Sequence, residues 1–217
     1  MSSIVVVTGT DTGVGKSWVT AALGEACYAG GRDVRAVKLV ETGTAALPEA
    51  GEDGVRLARA TRQVAPLHAL RRYRTAVAAA EAAELEGQSF DLTETIAELR
   101  EIAADAELTM VEGAGGLLAP LTWRETLLDV ARTLGAPVLV VAADRLGTLN
   151  HTLLTLAALD HGGTPCLGVV MNALPVGGGD DSSRGRNADA LRRVRPDITV
   201  VETGAPGWVE EVLGWVG

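Results

Sequence analysis

Aromatic residues are scarce in this chain: 217 residues include one Phe, two Tyr and four Trp. Its core must therefore be assembled from Val, Leu and Ala, which supply most of the 47% apolar content. Positive charge is also in short supply, with 19 Lys and Arg against 28 Asp and Glu and a net charge of −9. Non-specific binding to nucleic acid or to an anionic membrane needs a broad basic face, and this balance argues against one. A small anionic ligand stays open, because a local pair of lysines can serve it. Only two cysteines occur. Neither Cys27 nor Cys166 has a metal-ligand neighbour at short spacing, so both are expected to be reduced core residues of a cytoplasmic protein. The histidines (His68, His151, His161) are scattered, which argues against a clustered metal centre. No apolar run reaches membrane-spanning length, and no signal or transit pattern is visible at the N-terminus.

What the chain does have begins at once. The run Ile4-Val5-Val6-Val7 leads into Thr8-Gly9-Thr10-Asp11-Thr12-Gly13-Val14-Gly15-Lys16-Ser17, and a helical pattern follows. Such a strand–loop–helix is built to hold a phosphate chain. Loop N–H groups point inward, the helix N-terminus adds partial positive charge, and Lys16 adds a full one. Ser17 is positioned to place its hydroxyl on a magnesium ion carried with the nucleotide. One feature departs from the strict G-x-x-x-x-G-K-[ST] pattern: Thr10 occupies the first glycine position, and Gly9 stands one residue early.

Beyond the loop, helices are predicted over 17–29, about 55–61, 76–85, 93–104, 125–134, 149–161, 187–194 and 208–215. Strands are predicted over 34–40, 108–112, 137–143, 166–171 and 198–201. Thr93 reads as a helix cap, and Glu112–Gly116 as a second glycine-rich turn. Gly177–Arg186 reads as a mobile loop with too little apolar content to pack. Strands alternating with helices at short spacing predict an α/β fold. The expectation is a single doubly wound, mostly parallel sheet with helices on both faces, occupying residues 1–217 as one domain.

The chemically interesting residues fall at the carboxyl ends of these strands, which share one edge of a doubly wound sheet. They are Lys16 and Ser17, Lys38, Thr42, Glu112 with its glycines, Thr148–Asn150 and Asn172. Glu112 ends an apolar strand, which makes it a candidate magnesium ligand. Asp53 lies in an acidic stretch, and position alone favours a solvated charge or helix cap. Asn172 suits either a turn cap or an amide that reads an adenine edge.

Four segments resemble the dethiobiotin synthetase family: Val7–Ser17, Lys38 with Thr42-Gly43, Val111-Glu112-Gly113-Ala114-Gly115-Gly116, and Leu146-Gly147-Thr148-Leu149-Asn150-His151. That family's loop has the same Gly9-to-Gly15 spacing. The resemblance implies a P-loop homodimer that consumes 7,8-diaminopelargonic acid, carbon dioxide and ATP with Mg2+. Its products are dethiobiotin, ADP and phosphate, formed through a carbamate and a carbamic–phosphoric anhydride. It further implies Lys16, Lys38 and Thr12 as catalytic residues, and Ser17, Asp53 and Glu112 as the metal set. Nucleotide contacts are implied for Gly13, Val14, Gly15, Lys16, Ser17, Trp18, Asp53, Glu112, Gly113, Ala114, Gly115, Asn172, Ala205, Pro206 and Gly207. Substrate contacts are implied for Thr42, Gly115, Thr148, Leu149 and Asn150, the last three across the dimer interface.

The chain departs from the family pattern after Tyr73, where Arg74–Ala79 lacks the usual prolines, and beyond Leu174. Two other functions share the fold. A partition-type ATPase would carry a further lysine near the start of the loop, where Thr10 and Asp11 stand. An amidating enzyme of cobyrinate type would need a glutamine-hydrolysing domain with a nucleophilic cysteine, and neither Cys27 nor Cys166 sits in a suitable turn.

Overall fold

A computed structural model describes residues 2–173 and 181–216. In chain order the elements are β1 (Ser3–Gly9), α1 (Lys16–Ala29), β2 (Val34–Lys38), β3 (Val40–Thr42), α2 (Asp53–Thr61), β4 (Arg71–Tyr73), α3 (Ala79–Leu85) and α4 (Leu92–Ala104). There follow β5 (Leu108–Gly116), α5 (Leu127–Leu134), β6 (Val138–Ala143), α6 (Thr148–Gly162), β7 (Cys166–Asn172), α7 (Asn187–Val194), β8 (Val200–Glu202) and α8 (Trp208–Val216).

The main sheet has the order β2-β5-β1-β6-β7-β8, and each of its pairings is parallel. Parallel sheets need both faces covered, so their strands are apolar throughout and alternate only in which layer each side chain enters. In β1, Val5 and Val7 enter the layer beneath α1, α2 and α8, with Val19, Leu23, Leu57 and Val212. Val6 enters the opposite layer, with Leu99 of α4, Val130 of α5, Leu156 of α6 and Leu191 of α7. The chain leaves β1 toward β2 on one side and later crosses from β5 to β6 on the other. The order therefore reverses at β1, where open α/β sheets bind their ligands.

Several boundaries differ from expectation for physical reasons. The apolar run 34–40 is two strands, because the chain leaves the main sheet at Leu39. Leu39 N still bonds Glu112 O (2.8 Å), and Val40 then pairs with Arg71 in a separate two-stranded sheet. The glycines after Glu112 continue β5 to Gly116 and do not form a turn. α4 is capped by Asp91, whose side chain accepts from Glu94 N, and not by Thr93. α5 starts at Leu127 behind a Thr126–Asp129 capping box. The alanine-rich helix starts only at Ala79, which leaves 76–78 outside it, with a bend at Val77. Of the 177–186 stretch, residues 177–180 lie outside the described residues. Residues 181–186 are pinned: Asp144 accepts from Gly185 N (2.6 Å), and Asp181 accepts from Leu146 N (2.8 Å).

Cys27 is buried and Cys166 partly so, and both are free thiols. No helix among the described residues is long and apolar enough to cross a membrane.

Candidate active site

The loop between β1 and α1 is tied at both ends. Thr10 N bonds Val141 O of β6 (3.0 Å), and Asn172 Nδ2 at the end of β7 bonds Val14 O (3.0 Å). A Cβ on Gly9 would sit 2.7 Å from Val14 Cγ2 and 2.9 Å from Asp11 O. The loop folds back over the last residue of β1, so the small residue is needed at position 9 and the early glycine is explained. Gly15 holds the left-handed region with φ +90° and caps α1 without a side chain. The first-turn N–H groups of α1 thus lack a side-chain acceptor and face the loop's concavity. Lys16 Nζ reaches back to Asp11 O (3.1 Å). Burial and the nearby Lys38 ammonium push the Lys16 amine down to about 8.

Behind Lys16 lies a buried polar cluster set by strand register. Parallel pairing of β2 with β5 puts Lys38 beside Glu112. Glu112 is fully buried. Its Oε1 accepts from Ser17 Oγ (2.6 Å) and Lys38 Nζ (2.6 Å), and its Oε2 accepts from Thr20 Oγ1 (2.7 Å). Lys38 Nζ also donates to Asp53 Oδ2 (2.8 Å). Burial opposes the Lys38 charge, but the two carboxylates outweigh it and hold the ammonium above the ordinary lysine value. Burial would likewise raise Asp53, yet the charge and hydrogen bond of Lys38, with a hydrogen bond from Ser17, keep it below the usual aspartate value.

Asp53 is itself held by Glu41, whose carboxylate accepts from Asp53 N (2.6 Å) and Gly54 N (3.0 Å). Glu41 thereby caps α2 from another element, since the N-cap residue Glu52 makes no side-chain cap bond. Burial raises the Glu41 carboxyl above its ordinary value, although these two amide donors act against that.

A cavity of about 650 Å³ opens over this cluster. Thr12, Gly13, Gly15, Lys16, Ser17 and Trp18 form one side, and Lys38, Thr42 and Asp53 another. Ala114 and Gly115 of β5 close the third, facing an apolar wall of Ala76, Val77, Ala78 and Ala79. Residues 76–78, ahead of the helix, thus supply small apolar side chains where prolines were missing. Arg56 stands at the cavity as well, one turn beyond Asp53.

Other sequence candidates lie apart. Val14 is buried beneath the loop, and Glu112 reaches the cavity through Ser17 and Lys38. Gly113 lies against Leu127, whose Cδ2 would be 2.3 Å from an added Cβ. Asn172 is 3% exposed; besides its bond to Val14, its Oδ1 accepts from Thr203 Oγ1 (3.1 Å). Ala205, Pro206 and Gly207 form an exposed turn ahead of α8, where Trp208 stacks on Trp18 with ring centroids 5.6 Å apart. Thr148, Leu149 and Asn150 open α6 and do not line the cavity of their own chain.

Sequence reasoning missed Thr20, Glu41 and Arg56. A usable signal existed for Thr20, which falls three residues after Ser17 and so on the same helix face. None existed for Glu41, which acts through a backbone 12 residues away.

A family model described as an AAA domain matches residues 4–203. The chain is 45% identical over 190 residues to an ATP-dependent dethiobiotin synthetase BioD of Anaeromyxobacter dehalogenans, covering 87% of this chain and 83% of that protein. It is also 45% identical over 204 residues to the ATP-dependent dethiobiotin synthetase BioD of Mycobacterium sp. strain JLS, covering 93% and 88%. Solved structures share the fold at lower identity. The hydrogenase maturation factor HypB of Archaeoglobus fulgidus aligns with TM-score 0.60 and 15% identity over 100% of this chain and 91% of its own. The septum site-determining protein MinD of Pyrococcus horikoshii, solved with Mg-ADP, aligns with TM-score 0.55 and 19% identity over 100% and 87%.

Proposed function

The chain belongs to the dethiobiotin synthetase family, ATP-dependent ligases of biotin synthesis, and from that premise we propose how its own residues carry out the reaction. The substrates are 7,8-diaminopelargonic acid, carbon dioxide and ATP. One amine of the diamine captures carbon dioxide as a carbamate. A carbamate oxygen takes the γ-phosphoryl group of ATP, and the second amine closes the ureido ring and expels phosphate. The working unit is a homodimer with the diamine site near the interface, where Thr148, Leu149 and Asn150 of the second copy receive the distal carboxylate.

Phosphoryl transfer asks the protein for positioning and charge neutralisation. The loop amides, the first turn of α1 and Lys16 grip the triphosphate. Lys38 stays charged at neutral pH under the influence of Glu112 and Asp53, so it acts as a fixed positive charge and not as a base. Its place between the phosphate loop and Thr42 suits an ammonium that holds carbamate and γ-phosphate oxygens together. Thr12 and Gly115 flank the same centre, and the alanine wall accommodates the methylene chain of the diamine. The exposed Ala205–Gly207 turn contacts the nucleoside, while Asn172, buried with its amide bonded to Val14 O and Thr203, serves the nucleotide by holding the loop.

Mg2+ fits the residues present. Ser17, Asp53 and Glu112 offer only oxygen donors, gathered around one ammonium. Held by Ser17, Asp53 and Glu112, the ion would supply positive charge to offset the charge that develops during phosphoryl transfer.

The observation that carries this reading is Lys38, held at 2.6 Å from Glu112 and 2.8 Å from Asp53 beside Ser17, in a cavity with an apolar far wall. The deciding experiment is ATP turnover with and without the diamine and bicarbonate. Turnover should require both, and hydrolysis indifferent to them would sink the reading. Lys38→Ala should lower kcat by roughly 10²–10³-fold, the scale of losing one preorganised charge at a transition state. Mg2+-free ADP affinity should stay within about threefold, because the charge Lys38 meets develops during reaction. A near-native kcat would remove Lys38 from the mechanism.

A further inference from the structure

Thr20 sits one turn beyond Ser17 on α1 and is fully buried. Its hydroxyl lies within hydrogen-bond range of two acceptors, Glu112 Oε2 at 2.7 Å and Lys16 O at 3.0 Å. A hydroxyl has a single proton, so it satisfies one acceptor at a time. The carboxylate contact is shorter and charge-assisted, and it is the stronger of the two. The other carboxylate oxygen, Oε1, is shared by Ser17 and Lys38. Thr20 is therefore the only hydrogen-bond partner of Oε2 among the described residues. Without it, the buried carboxylate would have three strong donors' worth of restraint reduced to two, both on one oxygen, and would be free to rotate about its terminal bond.

We propose that Thr20 is a positioning residue for the nucleotide-bound divalent cation: by holding Oε2, it fixes the plane of the Glu112 carboxylate and keeps Oε1 turned toward Ser17. This assignment rests on the nucleotide reading above. Partners behind a metal-binding carboxylate typically change metal affinity by 10–100-fold. A purely structural threonine would instead satisfy a buried oxygen, and its loss would lower stability with no effect on cation dependence.

The test is ADP binding by calorimetry at increasing Mg2+, with Mn2+ binding followed in parallel by electron paramagnetic resonance. Thr20→Val keeps the side-chain shape and removes the donor. It should weaken the apparent Mg2+ affinity of the ADP complex about 10-fold or more, while Mg2+-free ADP binding stays within about twofold. Thr20→Ser keeps the donor and should restore cation affinity to within about threefold. If Thr20→Val does not fold, Thr20→Cys serves, because its weak S–H donor should leave cation affinity below that of Thr20→Ser. Native cation dependence in Thr20→Val, or equal values for the Cys and Ser variants, would overturn the assignment, whatever happens to the melting temperature. Failure of the unaltered chain to bind Mg2+ and ADP would overturn the nucleotide reading itself, a result distinct from any difference among the Thr20 variants.

Discussion

Lys16 carries a charge under unfavourable conditions, and that has a measurable cost. Its amine titrates near 8 in the folded protein against 10.5 when unperturbed, because of burial and then Lys38. The unfolded chain therefore binds more protons between about pH 8 and 10.5, and this residue's contribution to stability rises with pH through that window. Below about pH 8 the full penalty applies, about 3 kcal/mol at about 1.4 kcal/mol per pH unit. Lys16→Met should accordingly raise the melting temperature of the nucleotide-free protein at pH 7 while removing its affinity for ATP. A lowered melting temperature with the fold intact would contradict the account. Lys16, Ser17 and Glu112 were legible in the sequence because each ends an apolar strand or opens a helix. Thr20 left a trace in its spacing from Ser17 on one helix face, whereas Glu41 left none, because it acts through a backbone that only the tertiary fold brings near.

Among the elements, α4 provides a direct comparison between sequence and structure. Thr93 and Asp91 both have the chemistry of a cap, and only Asp91 accepts from the N–H three residues on. Asp91→Ala should destabilise by about 1 kcal/mol in urea denaturation, and Thr93→Ala by less than about half of that. Equal losses would restore Thr93 as the cap. The six strands of the main sheet were all legible as apolar runs. The two-stranded sheet of β3 and β4 was not, because its partner strand is Arg71-Arg72-Tyr73, with no alternation to read. The break at Leu39 was hidden because Val37, Leu39 and Val40 all enter the same core layer, so the apolar pattern runs on across it. That break matters for the site: β2 delivers Lys38 to Glu112, and β3 turns Thr42 toward the cavity wall.

At the scale of the molecule, the cavity is assembled from elements that converge on one edge of the sheet, so ligand binding and global stability are linked. Mg2+ with ADP at about 100 times its dissociation constant should add about 2.7 kcal/mol. For a chain of this length that corresponds to roughly 5–10 °C in melting temperature, read by calorimetry. A shift confined to Mg2+ without nucleotide would argue against a triphosphate site. The mostly parallel, helix-flanked sheet was legible because apolar strands alternate with helices, while the order of its strands was not. The proposed pairing of two copies was not, because a contact between chains leaves no periodic trace in one of them.

The tie between Val14, Asn172 and Thr203 has a further consequence for how the molecule is made. The phosphate loop leaves the ribosome before the strands that hold it, β5, β6 and β7. Its central strand, β1, pairs with β5 and β6, and the loop's carbonyl is clamped from β7, which is itself braced by a hydroxyl beyond β8. During synthesis the loop therefore exists as sequence long before it exists as shape. The loop is made before its supports and completed after them, so a chain synthesised only as far as β5 carries the whole phosphate-binding motif without the ties from β6 and β7 that shape it.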